Sequence, residues 1–258
     1  MKNLANLKAT CLVLLFSPLF ILSTYAQDAD NEQGDLIFII TDNVSPSNFA
    51  EYEQWIKEFK TLADETGAPN YDVGRNNEGM SFFINAGKTW ADFGEMEKKF
   101  DQWLSENPKV LELEKKHNHT VNYSERSLWR HNPSQSYVPE GYDDSVERKY
   151  TRVGRNWIKS GYMEKAKEII ADYQSTWTEA GISESTRTYW NVFGEEQTCI
   201  AFVTSYESRE AWVNSRKEVA EKVGETKLKE LQSNWNSVLR KEEELESFDR
   251  PDLAHSNE

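Results

Sequence analysis

The feature that most constrains the fold is an order of sequence signals that occurs twice along the 258-residue chain. Corresponding landmarks lie at nearly constant offsets, and they pair Ser45 with Ser160, Gly67 with Gly181, and Pro133 with Pro251. A fixed spacing between similar segments is the signature of an internal repeat. The sequence therefore predicts two similar halves rather than one large irregular domain.

The first half begins with the segment LIFIIT, which is predicted to be a strand. Its residues are apolar on both faces, which is typical of a strand that is buried on both sides. A helix begins after Ser45 and ends at Gly67. A β-hairpin is predicted for NYDVGR and MSFFIN, which the turn-forming NNEG joins. A second helix begins at Thr89, a short helix restarts at Pro108, and a strand, TVNYSERSLWR, closes the half.

The second half repeats this order. A strand, KYTRVGRNWIK, precedes a helix that Ser160 caps and Gly181 ends. A hairpin is predicted for STRTYWNVF and TCIAFVTS across GEEQ, and a second helix begins at Ser208. A short helix, ETKLKELQSNW, and a last strand within SVLRKEEELESF follow. Each half therefore has the order β-α-β-β-α-β, which is the ferredoxin-like arrangement.

The predicted fold class is α+β, with two ferredoxin-like repeats. Each repeat is a sheet with helices on one face, so its other face needs cover. Packing the two repeats sheet to sheet provides that cover and makes an intramolecular α/β barrel. We expect a signal peptide at 1–26, the first repeat at 27–134, a linker at 135–147 and the second repeat at 148–255. The expected assembly is a monomer with an internal pseudo-twofold axis.

The segment WADFGEMEKKFDQWLSENPKVLELEKK, a tryptophan-bearing second helix followed by a short restarted helix, resembles the dimeric α/β-barrel superfamily. Nearly all of the chain after the signal peptide fits this pattern. The superfamily includes antibiotic-biosynthesis-type monooxygenases, haem-degrading enzymes, stress-responsive barrel proteins and NIPSNAP-like proteins. The resemblance implies the fold, but these members differ in chemistry, so it does not assign one function.

The haem-degrading members place a haem-ligating histidine about ten residues after the tryptophan near the end of the second helix. The corresponding residue after Trp103 is Leu113, and the corresponding residue after Trp212 is Lys222. This sequence departs from the family pattern at the residue that would bind iron. We therefore expect no haem.

The pair His117 and His119 also fails as a metal site. On a strand the two imidazoles would point the same way, but a zinc or copper site needs at least a third ligand, and the neighbouring sequence offers none. We interpret the pair as partly exposed histidines at a helix-to-strand junction. The sequence predicts no metal and no cofactor.

The N-terminus indicates export. Lys2 and Lys8 precede an apolar stretch at 11–22, and Ala26 offers a small residue for cleavage before Gln27. We expect a signal peptide and a mature protein that is periplasmic or secreted. No later stretch is apolar enough to span a bilayer, so no membrane insertion is expected after processing.

The charge balance restricts the partners. The chain carries a net charge of −14, and cleavage would remove two lysines and no acidic residue. Nucleic acid and anionic lipid attract basic surfaces, so neither is an expected partner. The mature chain keeps one cysteine, Cys199, within an apolar run, which indicates buried packing rather than a disulfide or a nucleophile.

A candidate ligand site follows from strand alternation. If Cys199, Ala201 and Val203 face the helices, the residues of opposite parity on neighbouring strands face the space between the sheets. Arginines among aromatic and amide side chains there would suit a small anionic or carbonyl-bearing ligand. The candidate ligand-binding residues are Asn122, Arg126, Tyr150, Arg152, Asn156, Arg187, Tyr189 and Asn191. The alternative is that these groups sit at strand ends and pair with acidic neighbours, because a one-residue register slip reverses every assignment.

Two functional classes remain open. The sequence contains no phosphate-binding glycine loop, no G-x-S-x-G and no H-E-x-x-H motif. The absence of a recognisable base or nucleophile favours an exported small-molecule-binding or interaction protein. The alternative is a cofactor-independent monooxygenase-like enzyme. A deep cavity that holds an Arg, Asn or Tyr cluster would favour the enzyme, and a filled barrel would indicate a structural role.

Overall fold

The computed structural model describes residues 34–76, 79–195 and 198–257. The predicted signal peptide, with its cleavage site, lies outside the described residues, as do the central residues of the two predicted hairpin turns, 77–78 and 196–197. The described residues belong to one compact unit.

The first half has the predicted order of strands and helices. Its strands are β1 (Leu36–Val44), β2 (Asp72–Arg75), β3 (Gly79–Asn85) and β4 (Val121–His131), and its helices are α1 (Phe49–Thr66), α2 (Trp90–Glu106) and α3 (Pro108–His117). Local sequence signals explain the helix ends. Gly67 adopts the left-handed conformation that ends α1, with φ of 67°. The side chains of Thr89 and Asp92 form a capping box at the start of α2.

The second half follows the same order. Its strands are β5 (Tyr150–Ile158), β6 (Arg187–Phe193), β7 (Cys199–Tyr206) and β8 (Leu239–Asp249), and its helices are α4 (Met163–Ala180), α5 (Arg209–Val223) and α6 (Glu225–Val238). Gly181 ends α4 as predicted, and the Ser208 hydroxyl accepts a hydrogen bond from the Ala211 amide at the start of α5. The prediction that Ser160 caps α4 is wrong, because the chain makes a turn first and the cap residue is Tyr162.

The eight described strands close into one antiparallel barrel in the order β1-β3-β2-β8-β5-β7-β6-β4. Two short seams join the halves. At one seam, Gly74 and Arg75 of β2 pair with Asp249 and Phe248 of β8. At the other seam, residues 128–131 of β4 pair with residues of β6. The α+β class, with an eight-stranded barrel and six α-helices among the described residues, is confirmed.

Apolar side chains pack on both sides of the barrel wall. In the first half, Tyr52 and Ile56 of α1 pack with Phe38 and Leu128 from the sheet. In the second half, the helix-facing core holds Ile158, Ala166, Ile170, Ile200, Trp235 and Val238. Trp90, the first residue of α2, lies outside these cores and is 58% exposed. None of the described helices is long and apolar enough to cross a membrane.

The face predicted for Cys199 and Ala201 is wrong. Both residues pack with Trp129, Trp157 and Tyr189 inside the barrel, whereas their neighbour Ile200 faces the helices. The strand TCIAFVTS is apolar at both parities, so its composition does not decide which face is which. The tertiary pairing decides it, and it reverses the predicted face of this strand.

The segment that follows the closing strand of each half crosses onto the other half. After β4, Tyr137 forms a bridge with Thr186, and its hydroxyl donates to the Ile182 carbonyl oxygen at 2.7 Å. After β8, His255 forms a bridge with Tyr71, and the fully buried Leu253 joins the first-half core. Each half is therefore completed by residues from the end of the other.

Candidate functional site

The second half contains a cavity of about 300 Å³ between its sheet and the helices α4, α5 and α6. We call this space the second-half cavity. Aromatic side chains make up much of its wall, and they come from all three helices, from β7 and from the segment after β4. They are Tyr137, Tyr173, Trp177, Phe202, Tyr206, Trp212 and Trp235.

A glycine on the helix-facing side of β5 leaves room for part of the cavity. Gly154 lies between Arg152 and Asn156 on that face of the strand. A Cβ atom at Gly154 would have only one described neighbour within 4 Å, the Asn156 amide nitrogen at 3.5 Å. Isolated glycines in strands often mark a place where another group approaches the backbone. Here the missing side chain leaves open space above the sheet.

Asn156 holds part of the aromatic wall in place. This residue is 2% exposed, and its amide oxygen accepts a hydrogen bond of 2.9 Å from the indole nitrogen of Trp235. Its amide nitrogen donates to the Gly154 carbonyl oxygen at 2.8 Å. The Trp235 ring in turn packs at 5.3 Å from the Phe202 ring. Since both ends of the amide are used, Asn156 positions the wall and has little capacity left for a ligand.

The guanidinium of Arg152 is neutralised within the protein. It donates to the Glu246 carboxylate at 2.6 Å and also pairs with Glu244. Its central carbon lies 4.6 Å from the centre of the Trp212 ring, over the ring face. Two carboxylates and one ring therefore satisfy this arginine.

The second arginine of the wall, Arg216, belongs to a network centred on Glu184. The Glu184 side chain is 7% exposed and accepts hydrogen bonds from Arg216, from the Ser215 hydroxyl and, at 2.9 Å, from the Tyr206 hydroxyl. Burial would raise the pKa of Glu184, but the charge of Arg216 and these hydrogen bonds outweigh it and lower the pKa. Glu184 is thus held as a carboxylate.

Tyr173 and Glu242 also line the cavity, and neither side chain forms a hydrogen bond or an ion pair with another described residue. Burial, with the negative charge of Glu242 adding to it, raises the pKa of Tyr173 to about 12, so its phenol stays protonated. Glu242 is exposed at the open side of the cavity, opposite Asn156 in the β5–β8 pairing. Glu242 has no ion pair with any described residue, so the cavity keeps one hydroxyl donor and one carboxylate acceptor for a ligand.

The structure separates the eight predicted site residues into three groups. Arg152 and Asn156 line the second-half cavity, and Tyr150 lies on the same face but packs against Tyr206 and Trp212 beside it. These three were predicted to point into the barrel, and that prediction is wrong. In the β5–β7 register Asn156 pairs with Ile200, which faces the helices.

The three candidate residues of β6, Arg187, Tyr189 and Asn191, lie on the face of the strand that points into the barrel, as predicted. Tyr189 packs with the aromatic cluster inside the barrel. Arg187 pairs with Asp144, and the Asn191 amide donates to the Phe193 carbonyl oxygen at 2.9 Å. Arg187, like Arg152, is thus paired with an acidic neighbour, which was the alternative to a ligand site.

Asn122 and Arg126 lie on β4, away from both groups. Both residues are exposed. The Asn122 amide nitrogen donates a hydrogen bond to the Asn43 side-chain oxygen, and its amide oxygen accepts one from the Ser45 hydroxyl. By alternation along β4, Arg126 shares the face of Leu128, which packs in the helix-facing core of the first half, whereas Asn122 lies at a register shift near the start of the strand. The predicted residues therefore do not form a single site.

The residues that sequence reasoning missed come from helices and a loop. Tyr173 lies on α4, Trp235 lies on α6, and Glu184 lies in the connection after α4. One signal was available, since an isolated glycine inside a predicted strand indicates a bulge or a close approach. Gly154 is such a glycine.

His117 and His119 both lie near the carboxylate of Glu51, at 3.6 Å and 3.2 Å respectively. His117 is buried, contrary to the partly exposed position predicted, and neither of its ring nitrogens has a hydrogen-bond partner. Within residues 34–76, 79–195 and 198–257, no group of three His, Cys, Asp or Glu side chains has a geometry that could hold a metal ion.

No protein-family model matches this chain, and no curated protein matches its sequence. Solved structures do match. An anthrone oxidase-like protein aligns with a TM-score of 0.55 at 10% identity, over 86% of this chain and 92% of its own. A chlorite dismutase variant from Candidatus Nitrospira defluvii aligns with a TM-score of 0.52 at 12% identity, over 87% and 97%. A provisionally named monooxygenase from Fusobacterium nucleatum subsp. nucleatum aligns with a TM-score of 0.51 at 9% identity, over 84% and 92%. At these identities the similarity shows the fold, which is the ferredoxin-like α/β barrel.

Haem does not fit the second-half cavity. Among its described lining residues there is no histidine, cysteine or methionine, which are common iron ligands. Tyrosinate is another known ligand, but burial raises the pKa of both Tyr173 and Tyr206, and the Tyr206 hydroxyl already donates to Glu184. The donor set of this cavity therefore suits an organic molecule better than an iron porphyrin.

Proposed function

We propose that this protein binds a small organic molecule in the second-half cavity. One observation carries the proposal: an aromatic-walled cavity of about 300 Å³ lies between a sheet and three helices. Both arginines that line it are already paired with carboxylates of the protein. Small-molecule sites are typically concave, mostly apolar and supplied with a few placed polar groups. The structural neighbours share the fold on which such a cavity is built.

The proposal includes the wider organisation of the chain. The protein is exported, is processed before Gln27 and acts outside the cytoplasm. It consists of two ferredoxin-like repeats that arose by tandem duplication, at 27–134 and 148–255, with a linker at 135–147. The matching element order of the two halves supports this organisation. Because each half supplies the strands that close the other's sheet, the functional unit is a monomer.

Filling the cavity tests the binding proposal. Gly154→Val adds a branched side chain that points into the open space without displacing backbone, and valine suits a strand. The matched control is Gly94→Val, because Gly94 lies on α2 in the first half, and a Cβ atom added there would have no described neighbour within 4 Å. The measurement is the shift in thermal midpoint and the tryptophan fluorescence change with a panel of small aromatic and heterocyclic compounds.

We expect at least one compound to raise the midpoint of the parent protein and of Gly94→Val. The same compound should bind Gly154→Val at least about tenfold more weakly, because the new side chain occupies its volume. Circular dichroism checks that both variants fold. If every compound that binds the parent also binds Gly154→Val equally well, the ligand lies elsewhere and the proposal fails.

A second candidate function is oxidation of the bound molecule by O₂ without a cofactor. The observation that favours it is the presence in the cavity of the Tyr173 hydroxyl and the Glu242 carboxylate, neither of which pairs with another described residue. The carboxylate can accept a proton from the substrate. A structural neighbour is named an anthrone oxidase-like protein. Anthrone is therefore a suitable probe, since O₂ converts it to anthraquinone and water.

Oxygen uptake and anthraquinone absorbance measure this activity with no cofactor added. An enzyme of this kind should exceed the background rate and should lose activity in Gly154→Val and in Tyr173→Phe, with Gly94→Val unchanged. A rate equal to background for the parent protein would exclude anthrone oxidation and leave binding as the function.

A further inference from the structure

We infer that the second-half cavity selects a positively charged ligand that carries an apolar ring, with Glu242 as its counter-charge. This inference rests on the proposed function and names the chemistry of its ligand. It differs from the sequence-based expectation of an anionic or carbonyl-bearing ligand, which depended on free arginines.

The charged side chains that line the cavity disfavour an anionic ligand. Two guanidiniums and three carboxylates line it: Arg152, Arg216, Glu184, Glu242 and Glu244. Both guanidiniums are paired with carboxylates of the protein. An anionic ligand would have to displace a glutamate from an arginine to gain its own ion pair, and the displaced carboxylate would then lose its partner.

The position of Glu242 favours a cationic ligand. Its carboxylate is the one lining charge that pairs with no described residue, and it lies at the exposed side where a ligand would enter. It is close enough to Tyr173 to raise the pKa of that phenol. An ammonium group at this point would gain an ion pair with Glu242 while its remaining protons face water or the Tyr173 oxygen.

The aromatic wall favours a ligand that has both an apolar ring and a cationic group. The rings of Tyr173 and Trp177 lie 5.3 Å apart, and those of Phe202 and Trp235 also lie 5.3 Å apart. Ring faces attract cations through their quadrupole and also pack against apolar rings. A ligand with a ring at the wall and a cationic group toward Glu242 matches both features.

Three probes with the same ring and chain length but different charge test the inference. They are phenethylamine, 2-phenylethanol and phenylacetate, measured by titration calorimetry on the full mature protein at pH 7. We expect the amine to bind at least about tenfold tighter than the alcohol, and phenylacetate to bind weakest, because only the amine gains the ion pair. Higher salt should narrow the difference between amine and alcohol.

Glu242→Gln should remove most of the amine's advantage and leave the affinity for the alcohol nearly unchanged. The matched control is Glu243→Gln, which removes the same charge from the adjacent residue. Glu243 points to the other face of β8, where it pairs with Lys241 at 2.7 Å. A general effect of net charge would lower the amine affinity equally in both variants and would overturn the inference.

The outcomes separate this inference from the proposed function. If amine and alcohol bind equally, and Gly154→Val abolishes both, the cavity binds small molecules but does not select charge. If phenylacetate binds tightest, the arginines recognise the ligand and the inference is wrong. If no probe binds although the other panel compounds do, the assigned ligand class is wrong while the binding site stands.

Discussion

The contacts of Glu184 indicate how much its carboxylate contributes to the free energy of unfolding. In Glu184→Gln the carboxylate that receives Arg216, Ser215 and Tyr206 becomes a neutral amide with one acceptor oxygen. Hydrogen bonds to a charged group contribute about 1.5–3 kcal/mol, and breaking a buried ion pair costs about 3–5 kcal/mol. Because the Arg216 side chain is 43% exposed, water replaces part of the loss.

We therefore expect Glu184→Gln to lower the free energy of unfolding by about 2 kcal/mol at pH 7, which corresponds to roughly 4–8 °C in the thermal midpoint of a domain of this size. The measurement is urea unfolding followed by tryptophan fluorescence and by circular dichroism. The control is Glu230→Gln, which removes an exposed helical pair with Lys227 and should cost no more than about 0.5 kcal/mol.

The pH dependence gives a sharper test. The pKa of Glu184 in the folded protein lies below its usual value of 4.5. A lowered carboxyl pKa contributes stability that is fully present above the unfolded value and is lost as pH falls through the folded value. The difference between the parent and Glu184→Gln should thus be full at pH 7 and should shrink below pH 4.5. An equal difference at pH 7 and at pH 3 would refute the reasoning.

Desolvation, with the charge of Asp72 adding to it, raises the pKa of Asp249 to about 6, so its contribution to stability falls as pH rises from 3.8 to 6. Asp249→Asn should therefore stabilise the protein at pH 7 but not at pH 3. The gain in unfolding free energy should be about 1 kcal/mol, because more than a third of the residue is exposed and solvent screens it. N-terminal sequencing of exported protein should begin at Gln27, and recovery of the full-length chain in membranes would contradict processing. Light scattering should give the mass of one mature chain, whereas an obligate dimer would contradict intramolecular closure. Haem added to the mature protein should give no Soret shift that His117→Ala abolishes.

The order of helices and strands could be predicted because its signals are local. Gly67 and Gly181 provide the left-handed residue that ends a helix, and Thr89 and Ser208 accept an amide hydrogen bond at a helix start. These effects depend on a few neighbouring residues. The closure of eight strands followed from the need to cover the open face of each sheet.

The faces of the strands could not be predicted with the same success. Alternation relates residues within one strand, but the relation between strands depends on register, which the final packing sets. For β6 the polar residues indicated the correct face, whereas Cys199 through Phe202 on β7 are all apolar. Arg152 and Asn156 were identified as polar residues of a strand. Tyr173 and Glu184 join them only through tertiary packing, so no local signal could connect them.

The crossing of the two end segments has a consequence for synthesis and folding. When the ribosome has made residues 34–131, β2 and β4 still lack their neighbours β8 and β6, and the first-half core still lacks Leu253. Unpaired strand edges readily pair with other chains. Barrel closure must wait until β8 (Leu239–Asp249) has been made, and such distant contacts form slowly. A nascent chain that meets another before closure could exchange β8 with it, which would give an intertwined pair from the same contacts that close a single chain.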